Sequence, residues 1–536
     1  MRWLIAKTGR TFDVVLVNRS HIESTSVSEI RKSEKRQLEL FAELATCNPF
    51  LPKRIELEKQ VLGSKFEEDG IAWSRRLEFT DRERFNVTRL TDAATELIDK
   101  VQQQVESGKQ LSGESLQHYW YVVTYALLYR HIVYQDPASL REPQSTAAIW
   151  KEFRSDYERL VNLPGLSSEI AQSPGHLFAI LCQIHRAFFN IYSFILGESL
   201  PSIELRGKVW QSIFTCDIDR YRRSLFNRMS GLTSLITGPS GTGKELVARA
   251  IGLSQFIPFD EKQSCFKAPD ETSFFPLNLS AMSANLIESE LFGHRKGSFT
   301  GAIADRKGWL ELCPSHGAIF LDELGELDAA LQVKLLRVVQ QRRFSRIGET
   351  KERKFSGKII GATNRDLDEE MKAGRFREDL YYRLCADRIE TPSLRQQLNH
   401  HPEDLFFLIR HIASGLVGDD ADSLCDQSME WIEGNLGSEF PWRGNFRELE
   451  QCISSIMIRG QYVPGRSANV ESSNRDDWTR DAMETSLTAD ELLQRYCTWM
   501  YFKTGGYESA ARKLKIDRRT VKAKLDETML KRLKGE

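Results

Sequence analysis

The octapeptide Gly238-Pro239-Ser240-Gly241-Thr242-Gly243-Lys244-Glu245 carries the strongest chemical signal in the chain. An apolar run, Leu232 to Thr237, leads into it, and the helix-forming "LVARAIG" follows. Glycines at 238, 241 and 243 let successive backbone N–H groups turn toward a polyphosphate. The following helix N-terminus adds the positive end of its dipole, and Lys244 reaches the outer phosphates. Glu245 stands where Ser or Thr is usual, so the hydroxyl ligand expected for Mg²⁺ is missing. Such a metal must then be held through water or by other side chains.

Downstream, "GAIFLDELGEL" places Asp322 and Glu323 at the C-terminal end of an apolar strand, the edge at which open α/β sheets bind ligands. Asp322 suits Mg²⁺ or its water ligands, and Glu323 suits orienting and deprotonating an attacking water. The run "KIIGATN" ends in Thr363 and Asn364, neutral groups able to sense a terminal phosphate from the next strand. Asn278, closing "FFPLN", is placed to hold Glu323 by a hydrogen bond. Arg377 and Arg383 in "FREDLYYR" lie six apart, a rotation of roughly 240° on a helix, so they do not share a face. Two readings stand side by side. In one, an arginine reaches the phosphate of a neighbouring subunit while the other orients the interface. In the other, both belong to a surface ion-pair array with Glu378 and Asp379. Arg447 follows a Gly-Asn turn and opens a helix from which it can swing toward a nucleotide.

Two further stretches have a chemical profile. In "GHRKGSFTGA", glycines at 297 and 301 bracket Phe299 in a run too polar to be core. At the C-terminus, "GGYESAARKLKIDRRTVKAKLDE" reads as two short helices around a turn at Lys515 and Ile516. Asp517 caps the second helix, and Ala510, Ala511, Leu514, Val521 and Leu525 form an apolar seam. From Arg512 to Glu536 there are ten Lys or Arg against four acids, and the second helix presents Arg518, Arg519, Lys522 and Lys524. That excess suits phosphate backbones, and such a helix suits a major groove.

The elements that must position these groups follow from texture. Residues 1–201 read as mostly helical after a short strand near Trp3 to Val17, with helical spacing over Ser28–Thr46, Ala93–Glu106, Leu116–Tyr134 and His176–Leu196. No catalytic pattern and no acidic cluster of a phosphorylated receiver appears there. The aromatic stretch "HYWYVVTYALLYRHIVY" is read as core. Residues 202–395 alternate short apolar strands (Leu232–Thr237, Phe274–Leu279, Ala318–Leu321, Lys358–Ala362) with helices, the pattern of a parallel sheet covered by helices. A helical stretch covers 396–463, a polar linker 464–485, and a small basic helical unit 486–536. The 74 Lys and Arg nearly balance 75 Asp and Glu, so any nucleic-acid surface is local. Nine scattered cysteines without a CxxC pair predict reduced thiols in a cytoplasm; Cys182 and His185 are read as core. No signal peptide is expected, and the apolar His176–Leu196 is read as a buried helix, not a membrane span.

In order and spacing these motifs resemble the bacterial enhancer-binding proteins, the AAA+ ATPases that activate the sigma-54 form of RNA polymerase. "ESELFGHRKGSFTGA", "LQVKLLRVVQ", "GATNRDL", "GRFREDLYYRL" and "GNFREL" carry the likeness over about 202–463, and the C-terminal unit resembles a Fis-type helix–turn–helix. The resemblance implies an α/β P-loop fold with a helical lid, a usually hexameric ring, ATP and Mg²⁺ as ligands, and sigma-54 polymerase and upstream double-stranded DNA as partners. It implies Asn278 as the switch on Glu323, Thr363 and Asn364 in the first sensor, Arg377 and Arg383 as trans-acting arginines, and Arg447 in the second sensor. It also implies that Gly297, Ser298, Phe299, Thr300, Gly301 and Ala302 touch sigma-54. The chain departs from the family pattern at Ser298, Arg295 and Arg443, where alanine, glutamate and proline are common. The first 200 residues resemble no sensor type. Rival readings are a DNA-binding repressor whose ATPase serves assembly and an AAA+ remodeller of other proteins; the Phe-Thr loop separates the activator from both.

Overall fold

The computed structural model describes residues 29–68, 85–137, 139–166, 172–267, 273–299, 301–464 and 488–534. The expected strand near Trp3–Val17, Thr300 and nearly all of the expected linker lie outside these residues. The chain forms two compact units, Met1–Asp404 and Leu405–Glu536.

The first unit opens with seven helices: α1 (Lys32–Thr46), α2 (Lys53–Leu62), α3 (Phe85–Glu106), α4 (Gly113–His131), α5 (Pro143–Val161), α6 (Pro174–Phe194) and α7 (Leu200–Phe214). In α3 the buried residues Val87, Leu90, Ala94, Leu97 with its neighbour Ile98, and Val101 recur every three or four residues and form one stripe. In α4 the run Tyr119 to Leu127 is buried on all sides, so the aromatic stretch does pack the core. α6 is long and apolar enough to cross a membrane by length and composition, but it is mostly buried here, against α5, α7 and the helix that follows the phosphate loop. A one-turn helix, α8 (Ile218–Arg220), and a π-helical turn at Tyr221–Leu225 then lead into the sheet.

The sheet region runs β1 (Ser234–Thr237), α9 (Lys244–Gly252), β2 (Phe259–Asp260), β3 (Cys265–Phe266), β4 (Phe274–Asn278), α10 (Ala284–Phe292), β5 (Gly293–His294), β6 (Arg306–Lys307), α11 (Trp309–Leu312), β7 (Ala318–Asp322), α12 (Ala329–Gln341), β8 (Arg343–Phe344), β9 (Arg353–Lys354), β10 (Lys358–Thr363), α13 (Leu367–Lys372), α14 (Glu378–Leu384), β11 (Asp387–Glu390) and α15 (Leu394–His400). Five strands form one sheet in the order β11-β1-β10-β7-β4, every pair parallel. Strand residues alternate between two cores, as a period of two requires. Ile236, Phe320, Ile360 and Ile389 face α6, α7 and α9, whereas Leu235, Leu277, Ile319, Leu321 and Ile359 face α10, α12 and α14. Burial on both faces is what writes the central strands β1, β10 and β7 as apolar runs. The four expected strands are present; β11, an edge strand with Ile389 as its one buried residue, was not anticipated.

The second unit contains α16 (Asp404–Val417), which starts at the boundary, α17 (Ala421–Asn435) and α18 (Asn445–Arg459), then α19 (Ala489–Thr504), α20 (Tyr507–Leu514), α21 (Arg518–Ala523) and α22 (Glu527–Lys534). Cys497, Met500, Ala510, Ala511 and Val521, from α19, α20 and α21, make a small core. Lys515, at φ 55°, makes the turn between α20 and α21, and the Asp517 carboxylate accepts from the Arg519 N–H to cap α21. α19 and α22 add a third and fourth helix to the expected pair.

Candidate functional site

Residues 238–243 join β1 to α9 at the C-terminal edge of the sheet. Gly238 has a φ of 147°, and a Cβ there would lie 2.2 Å from Thr391 Oγ1 and 2.8 Å from its carbonyl, so only glycine fits. Gly243 adopts the left-handed conformation at the head of α9, and no side chain caps that helix. Its first N–H groups are therefore left for an outside acceptor. Lys244 is buried and donates through Nζ to the carbonyls of Gly238 and Pro239, each at 3.0 Å. Thr242 Oγ1 meets the Pro239 carbonyl at 2.8 Å and Thr391 Oγ1 at 2.7 Å. Ser240 is exposed, and Glu245 points along α9 into an ion pair with Arg249 at 3.1 Å. The buried Oγ1 of Thr237, just before the loop, has no hydrogen-bond partner among the described residues.

Asp322 ends β7, and its Oδ1 accepts from the Glu323 N–H at 3.0 Å. Glu323 takes a left-handed φ of 56°, costly for a residue with a Cβ and common where a side chain is held for function. Asn278 lies beside Asp322 in register across β4 and β7. Its Oδ1 accepts from the backbone N–H of Ser280 at 3.0 Å and from its hydroxyl at 2.8 Å, so in this conformation Asn278 is bonded to Ser280 instead of Glu323. Thr363 is buried beside Thr237 in register and accepts from the Arg365 N–H at 3.1 Å, while Asn364 is exposed. β1, β10 and β7 are adjacent, so their ends bring the loop, Thr363 and the Asp322–Glu323 pair to one edge of the sheet.

Arg377 is the residue before α14 and grips Asp379 with two bonds, Nε to Oδ1 at 3.0 Å and Nη2 to Oδ2 at 2.8 Å. This is the ion pair of the second reading, with Asp379 alone as its acid. Arg383 lies inside α14 with an exposed side chain that forms no ion pair among the described residues. In the other unit, Arg447 is the third residue of α18, after a turn in which Trp442 and Asn445 have φ of 44° and 53°.

The glycine-bracketed loop joins the two-residue strands β5 and β6, which pair antiparallel. Its base is locked by Asp305, which accepts from the Lys296 N–H at 2.8 Å and pairs with Arg295 at 2.8 Å. The tip closes on itself, Gly297 N–H to the Ala302 carbonyl at 2.9 Å and Ala302 N–H to the Phe299 carbonyl at 3.0 Å. Phe299 is 43% exposed, with one edge against His294 at 4.9 Å between ring centres, and Ile303 is 83% exposed. Ser298 packs against Gly348, and its buried Oγ has no hydrogen-bond partner among the described residues.

On α21, Arg519 and Lys522 are exposed, and Arg518 is also exposed but pairs with Glu508 at 3.2 Å. Lys524 lies beyond α21 and is tied to Asp490 of α19, so it is not presented with the other three. Sequence reasoning missed Thr391, which shapes the phosphate loop from the end of β11, and Asp305, which locks the Phe299 loop. Neither stands in a motif. Cys182 and His185 are both buried; burial pushes the Cys182 thiol up and the His185 imidazole down to about 4. No group of three or more metal-ligating side chains is assembled among the described residues.

Residues 220–390 match the sigma-54 interaction domain family. The transcriptional regulatory protein ZraR of Salmonella typhimurium is 37% identical over 306 residues, 55% of this chain and 63% of the relative. A Nif-specific regulatory protein of Enterobacter agglomerans is 42% identical over 227 residues, 42% of this chain and 40% of that one. The chain thus spans less than two thirds of the length of these relatives. Among solved structures, NtrX from Brucella abortus in complex with ATP aligns at a TM-score of 0.38 and 22% identity, covering 66% of this chain and 75% of that one. Residues 220–390, a parallel α/β sheet region, thus match the sigma-54 interaction domain family, and over 55% of its length the chain is similar to a transcriptional regulatory protein.

Proposed function

We propose that this chain is an ATP-hydrolysing, DNA-binding transcription activator that remodels sigma-54 RNA polymerase and drives promoter opening. The observation that carries the reading is the convergence of a phosphate loop, Thr363 and Asp322–Glu323 on one edge of the sheet, in a domain that also presents a glycine-bracketed Phe299 loop. The residues present fit a nucleoside triphosphate. The head of α9 has no side-chain cap, the loop admits no Cβ at Gly238, and Lys244 Nζ donates to two loop carbonyls that an anionic oxygen can replace.

In this reading the loop N–H groups and Lys244 bind and orient the phosphates of ATP. Glu323 aligns and deprotonates the attacking water, Thr363 and Asn364 sense the terminal phosphate, and Asn278 exchanges Ser280 for Glu323 to restrain the base. Bound Mg²⁺ supplies charge neutralisation between phosphates; Asp322 holds it through its carboxylate or a water, since Glu245 is engaged with Arg249. Arg383, exposed and without an ion pair among the described residues, reaches the phosphates of a neighbouring subunit in a ring, and Arg377 leaves Asp379 to complete that interface.

Phe299 and Thr300, with Gly297, Ser298, Gly301 and Ala302 beside them in sequence, contact sigma-54. Arg518, Arg519 and Lys522 in the unit at 486–536 bind double-stranded DNA, with Lys524 joining when Asp490 is released. Residues 1–201 regulate the ATPase. The test is open-complex formation by purified sigma-54 polymerase on a promoter with an upstream site for this protein, with and without the protein and ATP. Opening that needs neither refutes the proposal.

A further inference from the structure

A cavity of about 110 Å³ lies among the N-terminal helices, bordered by α1, α4, α6, α7 and the turn at Ile218–Arg222. Its walls are largely apolar, with Leu44, Leu128, Leu181, Phe188 and Trp210 among them. Two buried arginines also line it, and they differ. Arg54 is neutralised by Glu58 at 2.7 Å. Arg222 is 4% exposed, and its Nε and Nη2 have no hydrogen-bond partner among the described residues. Asp219, the acid whose charge reaches Arg222, is itself paired with Arg223 at 3.0 Å. The backbone of Arg222 is pinned, its carbonyl accepting from Gln172 Nε2 at 2.8 Å and facing His176 Nε2 at 3.0 Å.

A buried guanidinium whose Nε and Nη2 meet no acceptor among the described residues is costly and cannot escape by deprotonation. The group that relieves it is one with two anionic oxygens in a plane. His185, on the same wall, has an Nδ1 without a partner and is kept neutral by burial, so it adds a polar contact without adding charge. Arg222 also sits in the π-helical turn Tyr221–Leu225. Such turns are rare and recur at functional sites.

We propose that this cavity is a binding site for a small organic monocarboxylate, its carboxylate on Arg222 and its short apolar body among Leu128, Phe188 and Trp210. Size sets the class: an apolar cavity of roughly 150 Å³ admits benzene, so 110 Å³ suits about four to six non-hydrogen atoms, a propionate or a butyrate. The site is connected to the phosphate-loop helix. The α6 that lends Leu181, His185 and Phe188 to the cavity also bonds, through Gln183, Arg186 and Asn190, to residues 253–255 at the end of α9. Tyr221, next to Arg222, bonds to Gln183.

The test is calorimetric titration and thermal denaturation of the full chain with butyrate, with butyramide as the uncharged isostere and inorganic phosphate as the simple anion. Butyrate is expected to bind saturably and to raise the melting temperature, and butyramide and phosphate to act at least tenfold more weakly. Arg222→Met is expected to fold at least as stably as the parent without ligand and to lose the response. Leu128→Phe keeps Arg222, narrows the cavity, and is expected to lose it as well, so the proposal stays testable should the first variant not fold. No heat or shift from propionate or butyrate up to about 10 mM overturns the proposal. So does an equal response to butyramide or phosphate, or an unchanged response in both variants. None of these outcomes depends on ATP hydrolysis, so failure here is distinct from failure of the activator reading.

Discussion

Arg186 of α6 holds the Leu253 carbonyl at the end of the phosphate-loop helix, its Nε 3.1 Å from that oxygen and its Nη2 2.6 Å from the carbonyl of Gln255. A cation at a helix C-terminus meets the negative end of the dipole and satisfies carbonyls that have no intrahelical donor. The N-terminal region is thereby bonded to the helix whose other end heads the phosphate loop. Arg186→Met removes both bonds while keeping the side-chain bulk. It is expected to cost about 1–3 kcal/mol in denaturant unfolding and to change the apparent affinity for ATP. A variant with parental stability and parental nucleotide affinity would show that the contact transmits nothing.

If Lys244 holds the phosphates and Glu323 is the base, variants of the two separate binding from turnover. Lys244→Ala removes the one cation of the loop and is expected to abolish ATP binding, whereas Glu323→Ala is expected to bind ATP and fail to release phosphate. Equilibrium binding of a fluorescent ATP analogue and a phosphate-release assay, run on both variants, decide it. Hydrolysis at the parental rate by the Glu323 variant withdraws the base assignment.

Much of this site was legible because its residues are local in sequence. The phosphate loop, Asp322–Glu323 and Thr363 each close an apolar run, and a strand buried on both faces writes itself as such a run. β11 did not, since an edge strand with Ile389 as its one buried residue has no run to show. Thr391 and Asp305 act by long-range contact, with Gly238 across the sheet and with Lys296 nine residues back, and no spacing rule points to either. The basic count of the C-terminus gave Lys524 the same weight as Arg519, yet Asp490, on a helix the pattern did not reveal, takes Lys524 out of the exposed set. The cavity at Arg222 was invisible for the same reason: its walls come from residues 44 to 222, and they meet only after folding.

If Arg383 acts across a ring interface, ATPase activity per subunit should rise with protein concentration. Arg383→Ala should be inactive alone, yet should recover turnover when mixed with Glu323→Ala, because a mixed interface pairs an intact base with an intact arginine. Arg377→Ala is expected to behave alike but to be less complete, its guanidinium being engaged with Asp379. Activity independent of concentration down to monomer excludes the trans role.

Lys358, at the start of β10, is buried with its Nζ 3.2 Å from the Leu232 carbonyl. Burial, which outweighs the attraction of Asp387, pushes its pKa down to about 8. The folded chain thus releases this proton more readily than the unfolded chain. From about pH 8 up to the ordinary lysine range the unfolded state holds more protons, so stability rises with pH across that window; below it the penalty is fully present. Each unit of depression is worth about 1.4 kcal/mol. Lys358→Met is therefore expected to be more stable than the parent near pH 7, with the gap closing as pH rises toward 10. Urea midpoints of the two proteins at several pH values measure it; a gap that does not change with pH assigns the effect to packing.

Phe299 tests the loop. Its ring is 43% exposed and touches its own domain along one edge, at His294. Truncating a fully buried phenylalanine costs roughly 3–5 kcal/mol, so Phe299→Ala should cost well under that and leave basal ATP hydrolysis near the parental rate. Promoter opening with sigma-54 polymerase should nevertheless be lost. Ser298→Ala is the matched control one residue away: its buried Oγ has no partner among the described residues, so removing it should leave stability unchanged or raise it by about 1 kcal/mol, and opening should persist. A stable, hydrolysing Phe299→Ala protein that still opens promoters refutes the contact role of the tip. A strongly destabilised one returns the ring to the packing of its own domain. If both variants fail alike, the cause lies in the loop's conformation, held by Asp305 and the Gly297–Ala302 bond, and not in what the ring touches.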